Sequence, residues 1–439
     1  MATLPQPSLF SWTEVERTDE IFRLRRVLEA LPDADLIAAL ERDRKGKRND
    51  HPIPAMWNAV LAGIVFGHPS GASLLRELAR NGELWEVCGF DPLRRPKGIS
   101  KFAWSRFLSS LRRHQRLIDA LFEATLGTLT RLLPDLGRNL AIDGKAIATC
   151  GKKDPEARDG YKSYEEPDQQ GQLRKIVQHW FGYKLHLVVD ADYELPVAYE
   201  LHGADIGESP RLLPLIAHLK EHQPELFERI ETAVADRGYD DGSDKEALYD
   251  DHGILPLIPA RELAQTMAPL DEKHHDTIYL GPTGQVCCKV DPFDPKDEKA
   301  FAQMQFMGFE ADRQCLKFRC PAAAFDLECH NREACACLPQ VRDGAFGRVV
   351  RVPLERDRRL LGPIYEHSLR FERLYKKRTA VERVNSRIDQ VYGLEHHFIR
   401  GLKRMKLRVS LSLLVMLGTA VGWVRLKKPQ NVRSLLRAA

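Results

Sequence analysis

Apolar residues at helical spacing fill the first third of the chain and then give way to short, strand-like runs. The segment PAMWNAVLAGIVF at 54–66 is apolar on most sides, which predicts a buried helix. Between Ile99 and Leu132, Phe102, Trp104, Phe107, Leu108, Leu111, Leu117, Ile118, Leu121 and Phe122 fall at helical spacing, with Ser100 placed as an N-cap. Residues 1–135 therefore read as a helical domain. Its turn-rich loop DPLRRPKG at 91–98 is followed by Arg106, Arg112, Arg113 and Arg116. That basic stretch fits a helix-turn-helix that binds DNA, and it also fits an ordinary bundle with a solvated basic face.

Beyond residue 135 the pattern shortens. NLAIDGKAIA (139–148), GYKLHLVVD (182–190), ELPVAYELH (194–202) and TAVAD (232–236) are rich in apolar or β-branched residues and bounded by Gly, Asp or Pro, which predicts strands. Helices are expected at 210–221 and 243–251, then a strand at 254–259. Strands in succession followed by alternation with helices predict a mixed sheet covered by helices. The polar stretch 151–175 reads as a long functional loop. From 261 to 360 the alternation is lost, and strand-like pieces such as CLKFR (315–319) mark a strand-rich insertion. A final helical section starts near Tyr365 and breaks around Gly393 and Gly401. Its apolar run from Val409 to Val424 is shorter than the roughly 20 residues that span a bilayer, so it reads as a buried helix rather than a membrane segment. The expected division is a helical domain at 1–135, a catalytic core at 136–260 and 361–425, an insertion at 261–360, and a basic tail at 426–439.

At 439 residues the chain is long enough for two or three domains with cores of their own. The opening residues carry acids early and no apolar signal run, which predicts a cytoplasmic protein. A net charge of only +4 hides an asymmetry, because the stretch from Arg373 onward carries 16 Lys and Arg against 3 acids. That is an electrostatic footprint for a polyanion, or a solvated helical face. Of nine cysteines, Cys287, Cys288, Cys315, Cys320, Cys329, Cys335 and Cys337 crowd into the insertion. Cys320, Cys329, Cys335 and Cys337, with His330, supply enough soft ligands for a structural Zn²⁺, but their spacing is not the paired one of common zinc ribbons. Reduced thiols in a small core are the alternative.

Asp143 closes the strand LAID and Asp236 the strand TAVAD, each with a glycine shortly after it. Two carboxylates at strand ends suit Mg²⁺ or Mn²⁺, although such an Asp commonly just caps a turn. On a helix expected at 368–391, Tyr375, Arg378, Glu382 and Asp389 form a polar stripe beside an apolar one of Leu374, Val381, Val384, Ile388 and Val391. Glu382 then lies at the edge of the buried face, where it can join a metal site or simply pair with Arg378. Three carboxylates holding two metal ions suffice for phosphodiester chemistry without a covalent enzyme intermediate. Arg378 can hold a phosphate bidentately and Tyr375 can donate to another.

In order along the chain, AIDGK (141–145), GYKLHLVVDA (182–191), ADRGYD (235–240) and YKKRTAVER (375–383) resemble the bacterial insertion-sequence transposases of the DDE superfamily, closest to the subgroup with a strand-rich insertion before the glutamate. ASLLRELARN (72–81) and SKFAWSRF (100–107) are similar to the helical domain that precedes the core in such transposases. The resemblance covers about two thirds of the chain, and the ordered set is more specific than any one motif. It implies an α/β (mixed), ribonuclease-H-like catalytic core with Asp143, Asp236 and Glu382 as the catalytic, metal-binding triad. The subgroup's helix signature is Tyr, Arg, Glu, Lys; here Tyr375, Arg378 and Glu382 match and Asp389 stands in the lysine's place. Arg383 or Arg387 is a candidate substitute. Lys145, Lys184 and Arg237, within the matching segments, join Tyr375, Arg378 and Arg383 as candidate DNA contacts.

The expected function is that of a transposase binding the terminal repeats of its element and target DNA as double strands, cleaving, and joining 3′-hydroxyl ends to target DNA. Holding two ends together implies a homodimer in the DNA complex. A transposase-derived DNA-binding protein that no longer cleaves, and a metal-dependent nuclease that does not join, are the alternatives.

Overall fold

The computed structural model describes residues 19–44, 51–93, 98–151, 153–167, 172–263, 267–270, 277–290, 300–330 and 346–433. The first part is helical: α1 (Asp19–Ala30), α2 (Ala34–Arg42), α3 (Ile53–Val65), α4 (Gly71–Arg80), α5 (Gly82–Val87), α6 (Lys101–Arg113) and α7 (Gln115–Leu132). Nearly every residue of α3 is buried, as its all-round apolar pattern requires. The Ser100 hydroxyl caps α6, accepting from the Ala103 amide at 3.1 Å. His114 ends α6 and precedes α7, so the expected single helical stretch from Ile99 to Leu132 is two helices.

The central sheet follows. Its strands are β1 (Asn139–Ala148), β2 (Arg158–Pro167), β3 (Leu173–Asp190) and β4 (Leu195–Gly203), then, after helices α8 (Leu212–His222) and α9 (Pro224–Phe227), β5 (Thr232–Ala235); a short α10 (Gly242–Glu246) leads to β6 (Leu255–Leu257). The core order is β4-β3-β1-β5-β6. β1 runs antiparallel to β3 and parallel to β5, and β5 runs parallel to β6. This is a ribonuclease-H-like arrangement. β1 is buried from Asn139 to Gly144, the continuous apolar face expected of a central strand.

The polar stretch 151–175 is not a loop. It holds β2 and the start of β3, paired antiparallel from Arg158 opposite Gly182 to Pro167 opposite Leu173. Polar and aromatic residues such as Tyr161, Lys162, Gln178 and His179 occupy this ribbon, all exposed. A strand with so few apolar residues lacks the alternation that betrays strands, which is why the sequence pattern hides it.

The strand-rich insertion comprises β7 (Ala268–Pro269), β8 (Ile278–Leu280), β9 (Val286–Lys289) and β10 (Phe301–Gln303) in one small sheet, and β11 (Gln305–Glu310), β12 (Cys315–Arg319) and β13 (Val349–Pro353) in another, with the short α11 (Pro321–Phe325) between β12 and β13. The two share a core that includes Val286, Leu316, Phe318, Val352 and Tyr365. Cys287, Cys288, Cys315 and Cys320 are buried thiols and Cys329 is half-buried. Cys335 and Cys337, which the zinc reading needs, lie outside the described residues.

The chain then forms α12 (Leu369–Tyr375), a tight turn, α13 (Thr379–Ser386), a wide helical turn over 387–391, and α14 (Leu402–Arg425). The helix expected at 368–391 is present as one uninterrupted helical run whose pitch tightens at 376–378 and widens at 387–391. α13 lies on β1 and β3, while α14 packs on β4, α7 and α1. By length and composition α14 could cross a membrane, but 89% of its apolar window is buried inside the protein. It ties the helical domain to the sheet. Leu414 is fully buried there, so Leu414→Ala is expected to lower stability by about 2–5 kcal/mol, measured by denaturant unfolding.

Candidate active site

β1 and β5 are in parallel register up to Ile142 opposite Ala235. The next position along each is an aspartate, so Asp143 and Asp236 sit one strand spacing apart, about 5 Å between backbones. Asp236 directly follows β5, whereas Asp143 does not close its strand as expected: antiparallel pairing with β3 carries β1 on to Ala148, and Asp143 lies mid-strand opposite Leu187. Asp143 is 8% exposed, and its Oδ1 is buried with no hydrogen-bond partner among the described residues. Burial pushes its carboxyl above the ordinary value and Asp236 adds to the shift, with Lys162 and Arg378 opposing. Asp236 turns the chain sharply after β5: its Oδ1 accepts from the Gly238 amide at 2.8 Å, which leaves Oδ2 facing the Lys162 ammonium at 3.7 Å.

Lys162 comes from the hairpin that sequence patterning read as a loop. Burial works against its charge, yet Asp143, Asp236 and Glu208 outweigh burial and raise its pKa. Glu208, in the turn before α8, is a further carboxylate beside these aspartates. Burial and then Asp236 raise its pKa, while Lys184 opposes, and Lys184 lies 3.7 Å away. The Tyr239 hydroxyl is fully buried without a partner among the described residues, and its pKa is raised by burial and by Glu208, Asp143 and Asp236. Tyr239 lay within the ADRGYD motif, whereas Glu208 and Lys162 carried no local signal.

Glu382 stands on α13. It forms an ion pair with Arg378 at 2.6 Å, and its side chain is 48% exposed. The same guanidinium feels the aspartates: burial works against its charge, but Tyr375, Glu382, Asp143 and Asp236 outweigh it. The Tyr375 ring is 5.9 Å from the same guanidinium. Among the described residues, no three His, Cys, Asp or Glu side chains are gathered closely enough to hold a metal ion as they stand.

The other candidate contacts divide into engaged and open groups. Lys145 donates to Asp389 at 2.5 Å, so the acid in the lysine's place of the helix signature is matched by a lysine on β1. Arg383 and Arg387, the candidate substitutes, both bind Glu194 at the β3–β4 turn, Arg383 at 2.6 Å. Arg383 is nonetheless 51% exposed. Lys184 is buried against Glu208, and Arg237 is exposed.

Sheet order and paired acids on adjacent strands define a nuclease-like class of site. A family model for the Transposase DDE domain matches residues 135–417. That span is well over half of the chain, and the protein belongs to this transposase family. No curated protein matches the chain.

Two outcomes follow from the geometry. Glu194 is 4% exposed and anchors both arginines of the helical segment that carries Glu382. Glu194→Gln is expected to cost about 3 kcal/mol, the lower end of the range for losing one partner of a buried ion pair. Denaturant unfolding measures it, and an Arg387→Met background should shrink the effect. His186, on β3 opposite Gly144, is fully buried with both ring nitrogens unpartnered among the described residues. Burial, with Lys184, His202 and Arg211 adding, pushes its pKa down to about 3. The unfolded ring titrates near about 6.5, so between those values the unfolded chain binds one more proton than the folded chain. The stability held above pH about 6.5 is lost as pH falls toward about 3. His186→Leu should remove about one proton from the pH dependence of the unfolding free energy across that window.

Proposed function

We propose that this transposase binds the ends of an insertion sequence, cleaves the DNA there, and transfers the 3′-hydroxyl ends to target DNA, using divalent ions held by Asp143, Asp236 and Glu382. The observation that carries the reading is the pair of aspartates at adjacent positions of the parallel strands β1 and β5, with a buried Asp143 oxygen lacking any hydrogen-bond partner among the described residues. A buried carboxylate oxygen without a donor is costly unless a cation completes it. An all-oxygen, anionic donor set fits Mg²⁺ or Mn²⁺ rather than a soft metal. When bound, the ions supply an activated water or 3′-hydroxyl and charge stabilisation at the phosphorus.

The chain's own residues prepare for this. Lys162 and Arg378 neutralise the two aspartates in the metal-free protein, holding like charges together at one point. Arg378 also binds Glu382, so bringing Glu382 to the aspartates requires that pair to open. A phosphate is a natural competitor for the guanidinium, because it accepts the same bidentate pattern. DNA entry would thus release Glu382 while Arg378 and Tyr375 orient the scissile phosphate. Exposed Arg237 and Arg383 extend the basic rim; Lys145 and Lys184, engaged with Asp389 and Glu208, would set the charge balance behind it.

In this reading residues 1–135 grip double-stranded element ends, 136–260 with 361–425 carry the chemistry, 261–360 form the insertion and 426–439 add a basic tail. Two copies pair on the DNA in the cytoplasm. Zinc at the insertion's cysteines would be structural, separate from the reaction.

The test uses DNA carrying the element's terminal repeats. Asp143→Asn, Asp236→Asn and Glu382→Gln are each expected to reduce Mg²⁺-dependent nicking and strand transfer by at least about 100-fold while retaining DNA binding. Full cleavage by any of the three would sink the triad. Wild-type binding without nicking would favour a non-cleaving DNA-binding protein, and nicking without joining of pre-cut ends a nuclease.

A further inference from the structure

Among the described residues, Glu208 is a carboxylate beside both aspartates that the triad leaves unused. We propose that Glu208 is an additional metal-binding carboxylate of this centre, reaching between Gly144 on β1 and Gly238 in the turn after β5. The inference rests on the reading of Asp143 and Asp236 as metal ligands.

Its carboxylate lies over two glycines. A Cβ at Gly144, directly after Asp143, would lie 2.7 Å from Glu208 Oε1. One at Gly238, two residues after Asp236, would overlap Glu208 Oε2 and come 2.9 Å from Asp236 Oδ1. The Glu208 carboxylate therefore reaches from strand β1 to the turn after β5, one oxygen toward each, in space the missing glycine side chains leave open. Its side chain is 14% exposed, although an isolated loop glutamate has no reason to leave water.

Lys184 lies 3.7 Å from Glu208, too long for a tight ion pair, and Lys162, which also acts on it, is shared with Asp143 and Asp236. Two shared lysines leave three carboxylates at one point under-neutralised, because like charges at this range repel strongly. Two features point into the same space. The Asp143 side chain, 8% exposed, has an oxygen with no partner among the described residues. The fully buried Tyr239 hydroxyl, also without one, is acted on by Glu208, Asp143 and Asp236 together. The three carboxylates are not gathered tightly enough to hold a cation as they stand, so a bound divalent ion would have to draw them together. Unlike Glu382, Glu208 needs no ion pair with an arginine to open before it can reach the aspartates.

The experiment measures Mn²⁺ binding by calorimetry on the full chain without DNA, so that no activity is required. Glu208→Gln is expected to weaken Mn²⁺ affinity by about 10-fold or more. Glu208→Asp, which keeps the charge but shortens its reach, should weaken it less and carries the test if the Gln variant does not fold. Asp143→Asn and Asp236→Asn run alongside. Unchanged affinity at Glu208→Gln with loss at both aspartates overturns this inference alone and leaves Glu208 as a counter-charge for Lys184. Unchanged affinity in all three overturns the metal-site reading on which it rests. Loss in all three supports Glu208 as a ligand.

Discussion

Like charges forced together on adjacent strands are the constraint around which the core is organised. Asp143 and Asp236 are neighbours because β1 and β5 run parallel in a register that brings Ile142 opposite Ala235. Nothing in strand pairing favours acids there; two carboxylates within a few ångströms destabilise each other, and burial worsens the cost. The surrounding cations answer that cost from distant parts of the chain. Lys162 arrives on the hairpin and Arg378 on the turn between α12 and α13. Removing the hairpin together with the helical segment would leave the acidic pair without these counter-charges.

Placement of the helical segment is in turn an electrostatic matter as much as a packing one. Ala380, Val381, Val384 and Ile388 bury its apolar side, which sets its distance from the sheet but lets it slide. Glu194, in a left-handed conformation at the β3–β4 turn, pins Arg383 and Arg387. Lys145 on β1 pins Asp389. These two ionic anchors on different strands fix the rotation and register of the segment, and with them the direction in which Glu382 and Arg378 project. The Lys145–Asp389 pair also explains how this chain accommodates an acid where similar transposases carry lysine: the charge has crossed from the helix to the strand two residues after Asp143.

What could be read from the sequence follows from the range of the interactions involved. Strands and helix phases are local, so TAVAD, the strand carrying Asp143 and the stripe of Tyr375, Arg378 and Glu382 were visible as patterns, although the end of that strand was not: Gly144 looked like a stop, and pairing with β3 carries β1 on to Ala148. The β2–β3 hairpin was not visible, because its polar sequence mimics a loop. Lys162 was lost with it. Glu208 sits in DIGES, a turn with no periodicity, and its meaning comes entirely from residues some thirty to sixty-five positions away. The arginines proposed to replace the missing lysine looked available because their partner, Glu194, is remote in sequence. Ionic pairing across the fold, not hydrophobic pattern, decides which basic residues are free for DNA.

Charge balance also bears on how such a protein meets its substrate. The chain from Arg373 onward is strongly basic while the whole protein is nearly neutral, and in the proposed reading DNA would be drawn to a surface whose centre is acidic. A phosphate arriving there would compete with the half-exposed Glu382 for Arg378, the two now 2.6 Å apart. A divalent cation bound at the aspartates would reverse the sign at the point of reaction, turning a pocket that repels phosphate into one that attracts it. Lys162, which faces Asp236 without a metal, would then be released to the backbone of the DNA. On that reading, assembly of the site and binding of the substrate would be coupled through the same few charges, which gives a reason to hold an acidic centre behind a basic rim.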